Sequence, residues 1–335
     1  MTLNTICKFP DIDIYLLYFI DLTTIANITS LSREQYQIIH EQKFVKELYA
    51  LMIRQESKEE LYLLKDNKHI KISNIIDYAS LDNYISLIKY MDESVNEFVL
   101  SDNIITYASF KGHIEILNFF GNNNKYKFTC ANTKNAILWA CNNGHINVLN
   151  WFDNSVYEFK YTCCAIDCAS KNGHINVLDW FDKSKYEFKY ESAIEFAASR
   201  GQISVLDWFD KSKYEFKYNV FAIIYASKNG HTDVLDWFDK SVYEFKYSRL
   251  WFDAIDLAAG NGQIEVLNWF DNSVYEFKYS VGAINNASKN GHIDVLEWFK
   301  NSRHKVMYTK DAVLNAEKNN HANIVEWFEQ YEKSL

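Results

Sequence analysis

The residues best able to do chemistry in this chain are its histidines and cysteines. His113, His145, His174, His231 and His292 recur at nearly even spacing. Evenly spaced imidazoles are what a ladder of metal ions or proton carriers would need, because the ring titrates near neutrality and ligates transition metals. Gln202 and Gln263, however, take the same place in two intervening stretches. Gln is neither a general base nor a good transition-metal ligand. What His and Gln share is a hydrogen-bond donor, and a structural donor at a helix start fits both. Cys141, Cys163, Cys164 and Cys168 form one loose cluster. Structural zinc asks for two short Cys-x2–4-Cys pairs, and neighbouring stretches carry Ser, Ala or Phe at these places, so buried, inert thiols are expected and no metal. Asp167, Glu195 and Asp256 share one position, but Ile224 and Asn285 occupy it too, so it is no catalytic carboxylate set. No phosphate loop, HExxH, nucleophile elbow or dinucleotide fingerprint is present. The expectation is a non-enzyme without cofactor.

What positions these residues is an internal repeat. Gly144, Gly173, Gly201, Gly230, Gly262 and Gly291 are spaced by 29, 28, 29, 32 and 29 residues. The aromatic pair that begins at Trp151, Trp180, Trp208, Trp237, Trp269, Trp298 and Trp327 keeps the same steps. Gly112 with Phe119, and Asn83 with Tyr90, extend the register backwards, for about nine units over 72–335. In the unit "AIDCASKNGHINVLDWFDKSKYEFKYES", Ala165–Asn172 reads as a helix that Gly173 stops in a left-handed turn. His174–Asp182 reads as a second helix, apolar over more than half its circumference and so buried between neighbours. An extended linker follows, marked by the pentapeptide YEFKY, whose aromatic residues alternate with Glu and Lys. One such unit cannot close a core. Burying one Trp is worth roughly 4–6 kcal/mol at most, at ~25 cal/mol per Å2, and that gain needs a stacked neighbour. The predicted fold is an all-α helical solenoid of short helix-turn-helix units.

"AIDCASKNGHINVLDWF" resembles the core of the ankyrin repeat, in which a first helix leads through Gly-His into a Leu- and Val-rich second helix. The Thr-Pro opening of that family is absent, and its period is shortened here to about 29 residues. Short units marked by Trp-Phe resemble the ankyrin-repeat proteins of giant, mimivirus-like viruses. The resemblance implies protein–protein interaction through a groove built by the first helices. The position that matches the family's groove holds Tyr107, Trp139, Cys168, Phe196, Tyr225, Leu257 and Asn286, a varied series suited to an irregular partner. A second candidate surface is "SRLWFD", where the step of 32 residues adds Arg249, Leu250, Trp251 and Phe252 after the pentapeptide.

Residues 1–50 stand outside the repeat, and 51–71 connect them to it. Three short helices are predicted there, with Asp21 or Thr23 and Ser32 as caps. Phe9-Pro10-Asp11, Ile14, Leu17, Leu22, Ile25, Ser32-Arg33 and Phe44-Val45-Lys46 resemble an F-box, with Tyr36 where that family often has Trp. The resemblance implies docking of 9–49 on a Skp-type adaptor through Pro10, Ile14, Leu17, Leu22 and Ile25, and a role as substrate adaptor of a cullin–RING ubiquitin ligase. The alternative is a helical cap over the first repeat.

Net charge is −9, so a broad affinity for nucleic acid or anionic membrane is not expected. The apolar stretch near the N-terminus is broken by Asp13 and Asp21, and the six cysteines have no disulfide-framework spacing. An intracellular setting, the host cytoplasm on the viral resemblance, is expected.

Overall fold

The computed structural model describes residues 72–94, 103–121, 126–243, 245 and 252–334. The F-box-like segment, the 51–71 connection and Arg249, Leu250 and Trp251 lie outside the described residues. Among the described residues every regular element is an α-helix, and the helices fall into nine consecutive pairs.

Two compact units divide the chain, 1–140 with 145–161, and 141–144 with 162–335. The first holds the pairs Ile72–Leu81 with Ile85–Ser94, Ile104–Lys111 with Ile114–Gly121, and Cys130–Asn142 with Ile146–Asp153, the last turn of Cys130–Asn142 belonging to the second unit. The second holds six pairs. Their first helices are Cys164–Lys171, Ala193–Ser199, Phe221–Lys228, Phe252–Gly260, Val281–Asn290 and Lys310–Lys318. Their second helices are Ile175–Lys183, Ile203–Lys211, Thr232–Lys240, Ile264–Asn272, Ile293–Asn301 and Ala322–Ser334. In the second unit each first helix packs on the next first helix, and each second helix on the next second helix. The result is a two-layer helical solenoid. Small residues line the seam between first helices: Ala165, Ala169, Ala193, Ala197, Ala222 and Ala226 are all buried.

The turn inside each pair needs a left-handed residue. Gly201 has φ +69°, and a Cβ there would stand 2.7 Å from Nδ1 of His231, one repeat further on. Glycine is thus required twice over, by conformation and by the ring packed against it. Asn83 and Asn320 hold the equivalent turns at φ 61° and 60°, as the residue that best replaces Gly in this conformation.

The second helices bury Val177, Leu178 and Phe181 and their equivalents in every repeat but the last, where Val325 is half-buried and Ile324, Trp327 and Phe328 are buried. Of each Trp-Phe pair, the Phe is the deeper member. Phe181, Phe209, Phe238, Phe270 and Phe299 are fully buried, whereas Trp180, Trp208, Trp237, Trp269 and Trp298 are half-buried. The indole carries an N–H that needs a partner, and it finds one at the layer's edge. Trp208, Trp237 and Trp269 donate to Asp179, Asp207 and Asp236 of the preceding repeat at 2.7, 2.7 and 2.6 Å. Trp298 and Trp327 use Asn268 and Glu297 in the same way.

The pentapeptide joins consecutive repeats. Phe188 stacks on Tyr214 of the next copy, with ring centres 4.0 Å apart, and on Trp208 at 5.4 Å. Phe216 repeats this with Tyr243 at 4.0 Å and Trp237 at 5.3 Å. Three of the first tyrosines also reach back by their hydroxyls: Tyr214 to Asp182, Tyr243 to Asp210 and Tyr275 to Asp239. The second tyrosines Tyr190, Tyr218 and Tyr279 pack on the deep Phe that follows, Phe209, Phe238 and Phe299, at 5.1, 4.8 and 4.9 Å. Glu and Lys face water as pairs in the four copies described at these positions, such as Glu187–Lys189 at 3.1 Å and Glu215–Lys217 at 2.9 Å. Exposed pairs of this kind contribute about 0–1 kcal/mol each, so the rings carry the join. The divergent final linker keeps the same link with other residues. His304 stacks on Phe277 at 4.0 Å and meets Asp271 at 2.7 Å, and Arg303 reaches the same carboxylate at 2.8 Å.

Candidate functional site

The recurrent His and Gln side chains stand at the start of the second helices, where they make no capping bond to their own helix. Instead each reaches back one repeat. His145 meets the carbonyl of Phe110 and His174 that of Asn142, both at 3.0 Å, and His321 meets that of Lys289 at 3.2 Å. His113 does the same to Leu81 at 3.1 Å, and burial lowers its affinity for a proton. His113, His145, His174 and His321 are therefore donors to helix-end carbonyls, while Gln202, His231, Gln263 and His292 pack on the glycine turn of the preceding repeat.

The carboxylates at the shared first-helix position also join repeats. Asp167 accepts from the backbone N–H groups of Glu191 and Ser192 at 3.1 and 3.2 Å. Glu195 accepts from Asn219 at 3.1 Å, Asp256 from Ser280 at 2.9 Å, and Asn285 from Thr309 at 3.1 Å. All are acceptors for the chain entering the next first helix, which explains why Asn serves as well as Asp. Burial raises the pKa of Asp167, and the two N–H bonds oppose that rise. Ile224 cannot accept, and it precedes the one linker in this unit lengthened by SRLWFD.

Cys141 is buried, and burial pushes its thiol far up. Burial raises Cys163 and Cys168 as well, so these thiols stay protonated and poor as ligands or nucleophiles. Among the described residues no three His, Cys, Asp or Glu side chains converge as metal ligands would. Among them, too, no helix is long and apolar enough to cross a membrane.

What remains is the outward face of the first helices. In the first unit, Tyr107 is half-buried, and Trp139 is 40% exposed with its edge on Phe110 of the preceding repeat at 5.4 Å. In the second unit, Phe196 and Tyr225 are exposed at 38% and 39%, Asn286 is exposed, and Cys168 and Leu257 are half-buried. Trp139 therefore meets its neighbouring helix with one edge and the surface with the other, and Phe196, Tyr225 and Asn286 reach the surface. Of the insertion only Phe252 falls within a described element, as the first residue of its helix.

Sequence reasoning missed the neighbours that complete this face. Phe221 is 44% exposed and stacks on Tyr225 one helical turn later at 5.6 Å. Lys171 lies over the ring of Phe196, with Nζ 5.8 Å from the centroid. Asn229 donates to the carbonyl of Ser199 at 2.7 Å, which sets the ends of Ala193–Ser199 and Phe221–Lys228 side by side, with Arg200 and Lys228 next to them. The four-residue spacing of Phe221 and Tyr225 was the available signal. It was hidden because Phe221 has no aromatic counterpart in the other repeats. Neither the family models nor the curated proteins yield a match to this chain.

Proposed function

We propose that this chain is a non-enzymatic protein-binding scaffold of the ankyrin-repeat type, which holds its partner on the outward face of the first helices. The single observation that carries this reading is a division of labour between surfaces. The linker edge repeats one set of joints, ring on ring and hydroxyl on carboxylate, and so uses its side chains on itself. The first-helix face differs from repeat to repeat and leaves large apolar side chains such as Phe196, Phe221 and Tyr225 in water. Exposed aromatic residues clustered on one face favour an interface.

The F-box resemblance of 9–49 supports the more specific role of substrate adaptor for a cullin–RING ubiquitin ligase in the host cytoplasm. Removing residues 1–50 tests it. Capture of a Skp-type adaptor by the full chain should be lost in the truncated chain. Equal capture by both, or by neither, contradicts the adaptor role. A truncated chain that keeps its partners but melts earlier favours the plain ankyrin scaffold with a helical cap.

A further inference from the structure

Charge is sorted between the two layers over the repeats whose first helices are Cys164–Lys171, Ala193–Ser199 and Phe221–Lys228. The second helices and linkers carry Asp182 and Asp236, and nearby cations are paired with them: Lys213 with Asp182 at 2.8 Å, and Lys240 with Asp236 at 3.3 Å. An open cleft between successive second helices is lined by Asp210, Asp233, Asp236 and Trp237. The first helices are the reverse. On the first helices Cys164–Lys171, Ala193–Ser199 and Phe221–Lys228 the carboxylates are Asp167 and Glu195, both buried and bonded to backbone N–H groups, so they neutralise nothing outside. Lys171, Arg200 and Lys228 stand at the ends of three consecutive first helices and form no ion pair among the described residues. The same helices expose Phe196, under Lys171, and Phe221 stacked on Tyr225. In a chain of net charge −9 this is a local inversion of sign.

We propose that this face, from Lys171 to Lys228, takes an extended acidic peptide segment that also carries apolar side chains. Its carboxylates would meet Lys171, Arg200 and Lys228, and its apolar side chains would lie on Phe196, Phe221 and Tyr225. The proposal rests on the first-helix face being the binding surface, and it adds the chemistry of the partner. Charge complementarity sets the sign and would raise the association rate, while burial of the rings supplies affinity. A single-stranded nucleic acid would also answer to cations and rings, but it needs open ring faces on which to stack. Here Phe221 and Tyr225 stack on each other, with planes 17° apart, and Lys171 covers Phe196. The negative charge of the whole chain further disfavours a phosphate backbone.

Selection from a displayed library of random peptides on the full chain tests this directly. The same selection is run on the reversed variant K171E/R200E/K228E, the neutral variant K171Q/R200Q/K228Q, and the aromatic variant F196A/Y225A. All replaced side chains are exposed or half-buried, and thermal melts verify folding of each variant. Peptides enriched on the parent chain should be rich in Asp and Glu interspersed with Leu, Ile or Phe. A synthesised example should bind about tenfold or more weakly to the neutral and aromatic variants, and more weakly still to the reversed one. Enriched peptides that depend on the rings but show no acidic bias overturn the proposal and leave the binding face intact. Enrichment insensitive to every variant overturns both. Binding of a fluorescent oligothymidine or oligouridine that only the charge variants abolish overturns it in favour of nucleic acid. A concentration-dependent dimer that the reversed variant dissolves, without acidic peptides, overturns it in favour of a second copy of this chain.

Discussion

Replacing His174 by Gln should change stability little, because Gln202 and Gln263 pack on the preceding glycine turn at the same place in their repeats. Replacing it by Ala should cost about 1 kcal/mol, since the carbonyl of Asn142 loses one of its two donors and keeps only Asn172. Denaturant midpoints of the two variants separate a donor role from a titrating one. A His174→Gln variant as damaged as His174→Ala would refute the donor reading. Tyr243 offers a test by pH. Burial, reinforced by Asp210, pushes its phenol up to about 12 from the ordinary 10. A raised phenol pKa means that the neutral form is favoured in the fold. Its stabilisation is complete below pH 10 and is lost as the pH rises through 12. Tyr243→Phe should therefore make the alkaline loss of stability shallower across that window, measured by denaturation at a series of pH values. An unchanged slope would show that Tyr243 is free of its partner.

Among the elements, Phe252–Gly260 and Val281–Asn290 approach closely at Gly260. A Cβ on Gly260 would stand 2.8 Å from the Cβ of Asn286. In an isolated helix Gly→Ala gains up to ~1 kcal/mol. Here the clash with a helical Cβ should outweigh that gain, so Gly260→Ala should lower the thermal midpoint. Adding Asn286→Gly should restore it, and failure of that rescue would place the cost elsewhere. Helix, glycine turn, helix and extended linker were legible in the sequence because two markers keep one period across many copies, and apolar spacing within each copy gives the buried face. The stacking of YEFKY was legible in outline, since alternate residues of an extended segment share a side. Other features were hidden because they depend on a residue one repeat away. Nothing local says that Asp167 accepts from Glu191 and Ser192, or that Phe181 lies deeper than Trp180. The exposure of Phe221 likewise follows from helix packing, not from its own neighbours.

At the scale of the whole molecule, near-identical joints hold the repeats together, and dissimilar side chains are left on the first-helix face. Identical copies of YEFKY would read identical features in a partner, whereas Phe196, Tyr225, Leu257 and Asn286 can each meet something different. The two surfaces should respond oppositely to substitution. Phe216→Ala removes a stack on Tyr243 and Trp237 and should cost ~2 kcal/mol or more. The most direct measurement is the amount of partner protein captured by the double variant Phe196→Ala/Tyr225→Ala relative to the unaltered chain, with thermal midpoints recorded on the same samples. Capture should fall by about tenfold or more while the midpoint stays within a few degrees. Undiminished capture, or a collapse of the midpoint that marks these rings as core, would contradict the account.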